Sequence, residues 1–230
     1  RLFMLSDSPA EKNLEWSDTG IDGFFKYLNK LWRLVNGFIE NDFAENDFIN
    51  FDNEEFFDEK LVNNLNKSEQ DLIKLTHKTI KSVTENYEKM AFNVVIAKIR
   101  EFSNYVEKFS AKSDEAKKAK AFALNNLVLL LSPITPHLAE ELWFLLKNDN
   151  FIANNVDFPK FNNKITIDSE IKIAVQVNGK LRLVLNIPKD SSKEQVENTA
   201  LEDNNVKKNI GDKAIKKVIY VPNKLINIVV

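Results

Sequence analysis

The hydrophobic period of this chain changes once, and that change limits what it can fold into. Across residues 21–146 apolar side chains return every three or four positions; across 171–229 they return every second position. The first spacing lines one face of a helix, and the second lines one face of a strand. A chain with both, in separate blocks, is expected to build two cores. The predicted fold is therefore mainly α, a helical bundle over 21–147, followed by a small α+β domain over 169–230.

Within the first block, Ile21, Phe24, Phe25, Leu28, Leu31, Trp32, Val35, Phe38 and Ile39 read as one buried stripe, capped by Ser17, Asp18 or Thr19. Residues 40–59 hold nine acids and no Lys or Arg; they read as an irregular loop pinned by Phe43, Phe48, Phe51, Phe56 and Phe57. Ser68 followed by Asp71 reads as a capping box, and Leu72, Thr76, Ile80, Val83 and Tyr87 as the stripe behind it. Phe92, Val95, Ile96, Ile99, Phe102, Val106 and Phe109 mark the next helix, and Ser113 caps the one after. Thr135-Pro136 opens the last, because proline at the first helical position gives up no needed hydrogen bond. Trp16, Trp32 and Trp143 all read as core. Asn, Asp and Pro then accumulate without a period, which predicts a linker over 148–168.

The second block opens with Ile171, Ile173, Val175 and Val177 alternating, then Asn178-Gly179, a hairpin signal. A two-residue turn would place Val177 against Lys180 and mix the faces of the two strands. A three-residue loop sets Val175 against Leu181 and Ile173 against Leu183, keeps every apolar side chain on one side, and is the expectation. It gathers Lys172, Gln176, Lys180 and Arg182 on the solvent face. A helix from Ser191 or Ser192, a shorter one near Val206–Ile210, and strands at 218–221 and 225–229 turning at Pro222-Asn223 complete a β-β-α-β-β order with one extra helical turn.

Composition excludes several classes. With no Cys and two distant His residues, neither a disulfide framework nor a thiolate zinc site can form. No apolar run approaches the roughly 20 residues of a membrane span. The net charge of −2 hides a division: residues 170–230 carry 11 Lys and Arg against 7 Asp and Glu, a net of +4, and residues 1–169 carry a net of −6. A basic tail behind an acidic body points to a polyanionic partner at that end. The opening Arg1-Leu2-Phe3-Met4-Leu5, apolar and without an initiator Met, reads as a piece of something longer.

Several segments resemble one family. Ser132-Pro133-Ile134-Thr135-Pro136-His137-Leu138-Ala139-Glu140-Glu141-Leu142-Trp143 is similar to the last helix of the anticodon-binding bundle in class I aminoacyl-tRNA synthetases. Residues 1–9, Leu14 to Gly23, Leu31-Trp32-Arg33-Leu34-Val35, His77-Lys78-Thr79-Ile80 and Ala91-Phe92-Asn93 follow the order seen after the catalytic domain of bacterial leucyl-tRNA synthetases. Val175 to Arg182 and Lys217 to Leu225 resemble the small C-terminal domain of the same enzymes, with Leu183 departing from the usual small residue.

The resemblance implies a cytoplasmic, monomeric, ATP- and Mg-dependent ligase whose activation motifs lie elsewhere, residues 1–20 being the connection to that part. It leaves this chain with no catalytic residue, no metal and no cofactor of its own. The implied partner is leucine tRNA, held by the bundle and by the small domain at the tRNA's outer corner. Lys172, Lys180 and Arg182 on the hairpin, and Lys213, Lys216, Lys217 and Lys224 near the closing strands, are the candidate phosphate or base contacts. Open alternatives are the tRNA-binding part of an isoleucyl, valyl or methionyl enzyme, and a stand-alone RNA-binding module.

Overall fold

The computed structural model describes residues 1–9, 11–13, 15–42, 54–146, 151–167, 170–189, 191–211 and 215–230. It divides into two compact units, Arg1–Thr166 and Ile167–Val230.

The first unit is all helical: α1 (Leu2–Ser6), α2 (Asp18–Asp42), α3 (Glu59–Asn63), α4 (Lys67–Glu88), α5 (Phe92–Lys108), α6 (Asp114–Leu131), α7 (Pro136–Leu145), α8 (Ile152–Asn155) and α9 (Asn163–Thr166). The starts are set by local chemistry. The Ser17 hydroxyl accepts the Gly20 N–H at 3.2 Å, and the Ser113 hydroxyl accepts the Ala116 N–H at 3.1 Å. α4 begins one residue before Ser68, on Asn66, whose backbone N–H donates to the Glu69 carboxylate at 2.9 Å. Asn66 takes the capping position because Glu69 is the residue that can reach back three positions. Buried Glu69 also accepts from the Ser113 hydroxyl at 3.1 Å, so one carboxylate ties the starts of α4 and α6 together.

α6 is the axis of this unit. Apolar residues cover it almost all round, and even Lys120, Asn125 and Asn126 are buried, which is the pattern of a core helix rather than a surface one. The amide groups survive burial by donating to Ala121 and Phe122 carbonyls one turn back. Around it pack Leu72, Ile80 and Val83 of α4 and Val95, Ile99, Phe102 and Val106 of α5, all from the expected stripes.

Two expectations for this unit fail. On α2 the buried set is Tyr27, Leu31, Val35 and Phe38, while Phe25 is 65% and Trp32 39% exposed, and Trp16 is 69% exposed. The stripe is rotated because Tyr27 can place its ring in the core and satisfy its hydroxyl on Ser103 at 3.1 Å. That burial pushes the Tyr27 phenol up to about 12, with Ser103 and Arg100 pulling the other way. Second, the described part of the expected linker packs on the bundle. Ile152 and Ile165 are buried, Phe158 meets Tyr87 edge to face, and Glu140 accepts the backbone N–H groups of Ile152 and Ala153. Leu2 and Phe3 are buried here as well, so residues near the start join the same core. Of the acidic loop, Glu55–Phe57 forms one 3-10 turn with Phe56 buried; Phe43, Phe48 and Phe51 lie outside the described residues.

The second unit comprises β1 (Glu170–Val177), β2 (Lys180–Pro188), α10 (Lys193–Glu202), α11 (Asn204–Ile210), β3 (Lys217–Val221) and β4 (Leu225–Val229). Its sheet order is β2-β1-β4-β3, with β1 and β4 parallel at the centre and each outer strand antiparallel to its neighbour. Ile173, Val175, Val177, Ile226 and Ile228 bury one face together with Val196, Ala200 and Val206 of the two helices. Ser192 caps α10 in a reciprocal pair with Gln195, as expected for that helix.

Candidate nucleic-acid interface

The hairpin that carries Lys180 and Arg182 is not the one its alternation predicts. Val177 pairs with Lys180 and Gln176 with Leu181 across a two-residue turn, in which Asn178 has φ 50° and Gly179 φ 78°. Two consecutive positive φ values are what a type I′ turn requires, and they match the twist of the flanking strands. The parity conflict is resolved one step later. The register shifts between Val175 and Gln176, leaving Arg182 as the extra residue of a bulge, after which Val175 faces Leu183, Ile173 faces Leu185 and Ile171 faces Ile187. An inserted residue in the strand does what an odd loop was expected to do. Leu183 therefore sits toward the core, and Leu181 and Val184 are left 58% and 49% exposed on the outer face.

This register regroups the candidate residues. Lys172 pairs with Asn186, five positions from the end of β1, which is about 17 Å from the turn at strand rise. Gln176 shares the outer face with Lys172, whereas Lys180 stands across from inward-facing Val177. The expected cluster of Lys172, Gln176, Lys180 and Arg182 on one face does not form.

What forms instead joins residues from both ends of the small unit. The turn is fastened to β4: Asn178 donates its N–H to the Ile228 carbonyl at 2.9 Å, its side-chain oxygen accepts from Val230 N–H at 3.1 Å, and Asn227 accepts from Gly179 N–H at 3.0 Å. Val229, beside that contact, pairs with Lys217 and accepts from Lys216 N–H at 2.8 Å. Lys180, Arg182, Lys216 and Lys217 thus share one end of the sheet, all exposed, across three strand spacings or about 14 Å. Lys224 follows the β3–β4 turn, where its carbonyl accepts from Ala174 N–H at 3.0 Å, and this brings it to the region of Lys172. Lys213 lies outside the described residues. None of the six described cations makes a salt bridge among the described residues. Such side chains keep their donors for a ligand.

The helical unit offers a second basic groove that sequence reading missed. Between α4 and α5 a cleft of about 410 Å³ is lined by Lys78, Lys98, Ser82, Thr79 and Tyr105. Burial and the charge of Asp71 raise the Tyr105 phenol. The recurrence of Lys74, Lys78 and Lys81 opposite the α4 stripe was the available signal. Arg33 is exposed, and the Arg100 guanidinium lies 5.6 Å from the Phe24 ring and 4.9 Å from that of Tyr27, so its plane serves packing.

No group of three or more His, Cys, Asp or Glu residues suited to a metal occurs among the described residues, so no ATP–Mg site can be assigned to them. His77 is fully buried and held between neighbours: Nε2–H donates to the Phe56 carbonyl at 2.9 Å, and Nδ1 accepts from Asn162 N–H at 3.3 Å. Both ring nitrogens are consumed in structure, which leaves none for catalysis. No helix described is long and apolar enough to cross a membrane.

Comparison with known proteins identifies the architecture. The family described as the anticodon-binding domain of tRNA ligase matches residues 69–197, more than half of the chain. The chain belongs to that family. The match runs from within α4 to within α10, and so crosses from the helical unit of this anticodon-binding chain into the small one. The leucine–tRNA ligase of Alcanivorax borkumensis is 39% identical over 230 residues, and that of Rhodospirillum rubrum 35% over 230. Each alignment covers all of this chain but only 26% and 25% of the relative, so the chain spans about a quarter of their length. Among solved structures, the ternary complex of Agrobacterium radiobacter K84 agnB2 LeuRS, tRNA and LeuAMS matches with a TM-score of 0.71 at 25% identity, covering 100% of this chain and 28% of that one.

Proposed function

We propose that this chain is the tRNA-holding part of a leucine–tRNA ligase, positioning leucine tRNA while the remaining polypeptide performs ATP-dependent leucylation. The observation that carries the reading is end-to-end similarity to leucine–tRNA ligases at 35–39% identity, across both the bundle and the small unit. An isoleucyl, valyl or methionyl parent is less well supported, because the relatives named above are all leucine enzymes. The chemistry of this chain is placement: contacts remote from the reacting ester orient the acceptor end, converting binding energy into correct geometry. Lys180, Arg182, Lys216 and Lys217 are the phosphate contacts at one end of the small sheet, with Lys172 and Lys224 as a separate pair and Lys213 as a further basic contact. ATP and Mg are handled by the rest of the ligase, which is cytoplasmic and monomeric in this reading.

The test is a chimera in which this chain replaces the matched quarter of the A. borkumensis enzyme. Leucylation of leucine tRNA by the chimera, with none by the 230-residue chain alone, is the expected result. A soluble chimera that binds leucine tRNA no better than the A. borkumensis enzyme lacking that quarter would overturn the reading.

A further inference from the structure

The helical unit carries an aromatic surface that tRNA holding does not use. Phe25 and Trp32 stand seven residues apart on the same side of α2, with Asn29 between them, at 65% and 39% exposure. Trp16 is 69% exposed and meets Phe3 edge to face at 5.9 Å, and Phe3 in turn meets Phe24 at 6.0 Å. Alongside lies an apolar groove of about 500 Å³ lined by Phe3, Phe24, Phe25, Leu28, Ile134 and Pro136, among others. Large aromatics gathered on one surface beside an apolar groove mark an interaction site, since a lone domain gains nothing by exposing them.

The border decides what binds. Residues 7–22 hold Asp7, Glu11, Glu15, Asp18 and Asp22 against a single Lys12. A polyphosphate would be repelled there, whereas a protein face with apolar anchors and a basic rim would be steered in. The relatives supply such a partner, because about three quarters of each lies beyond the part that this chain matches. We infer that the Trp16–Phe25–Trp32 surface and its groove dock a folded protein domain, namely the remaining part of the leucine–tRNA ligase polypeptide. The inference rests on the proposed function and adds the surface by which holding and reacting parts are kept in register.

Hydroxyl-radical footprinting of the isolated chain and of the A. borkumensis chimera tests it. Oxidation of Trp16, Phe25 and Trp32 is expected to fall several-fold in the chimera without tRNA. A chimera that leucylates tRNA yet leaves these three as reactive as in the isolated chain overturns the docking inference alone. Protection that appears only on adding tRNA assigns the surface to RNA, and protection in the isolated chain that grows with its concentration assigns it to a second copy; either overturns the proposal. A folded chimera that never leucylates sinks the functional reading and the inference with it. As a second variant, Phe25→Ser/Trp32→Ser in the chimera is expected to lower kcat. The thermal midpoint of the same double variant of the isolated chain should stay unchanged, as should the salt dependence of tRNA binding by the chimera. An unchanged kcat would count against docking.

Discussion

At the scale of single residues, three tryptophans that look equivalent in sequence do three different things. Trp143 is 8% exposed in the core beside Leu142, whereas Trp16 and Trp32 face outward. Trp143→Ala is expected to lower stability by about 3–5 kcal/mol, enough to threaten a marginal domain, whereas Trp16→Ala should stay within about 0.5 kcal/mol. Urea midpoints of the two variants measure the contrast; equal losses would contradict the burial. Periodicity cannot distinguish these cases, because a stripe nine apolar residues wide fits two rotations of α2. The choice was made by a polar atom, the Tyr27 hydroxyl, whose partner Ser103 is 76 residues away in sequence. His77 shows the converse. Its position beside the α4 stripe was legible, but its partners Phe56 and Asn162 come from segments without a period. Burial holds the His77 imidazole below its ordinary value of 6.5, the bond to Phe56 opposing. The unfolded chain protonates this His near 6.5 while the folded chain resists, so its contribution is fully present above that pH. It is lost as pH falls from 6.5 toward the lower folded value. Unfolding midpoints should therefore decline below pH 6.5 in the wild type, and His77→Gln should flatten that part of the profile. A decline that persists unchanged in the variant would move the effect to other groups.

At the scale of elements, the bulge at Arg182 is what makes the hairpin compatible with its own turn. Deleting Arg182 would restore simple pairing and carry Leu183, Leu185 and Ile187 to the outer face, where each lost burial costs about 1.5–3 kcal/mol. The deletion is expected to abolish cooperative unfolding of the small unit, followed by amide exchange. Leu181→Gln, on the exposed side of the bulge, should leave exchange unchanged. The strands, the α10 cap and the Pro222-Asn223 turn were all readable in sequence, since each is written in local residue chemistry. At that last turn Asn223 has φ 58° and Lys224 N–H reaches the Val221 carbonyl at 3.1 Å, the geometry that Pro followed by Asn favours. The bulge was not readable. Alternation alone fixes parity, and an odd loop and an extra strand residue satisfy it equally. The packed segment 151–166 was missed for a related reason: its few anchors, Ile152, Phe158 and Ile165, are too sparse to make a period.

At the scale of the whole molecule, charge was legible as a total and not as a place. Sequence reading separated Lys180 and Arg182 from Lys216 and Lys217; the β2-β1-β4-β3 order brings them to one end of the sheet. Each phosphate contact releases counterions, so removing one should reduce the log–log salt slope of tRNA binding by about 0.7–0.9. The variant Lys180→Ala/Arg182→Ala/Lys216→Ala/Lys217→Ala should therefore flatten the slope by several such steps, while Lys172→Ala/Lys224→Ala acts separately. An unchanged slope in the fourfold variant would remove that end of the sheet from the interface.

The interior position of β4 reaches beyond binding. Leu225–Val229 is inserted between strands that come earlier in the chain, so proteolysis or truncation ahead of Leu225 excises the middle of the sheet and leaves its margins without a neighbour. Damage confined to a handful of late residues is thereby converted into collapse of the entire small unit.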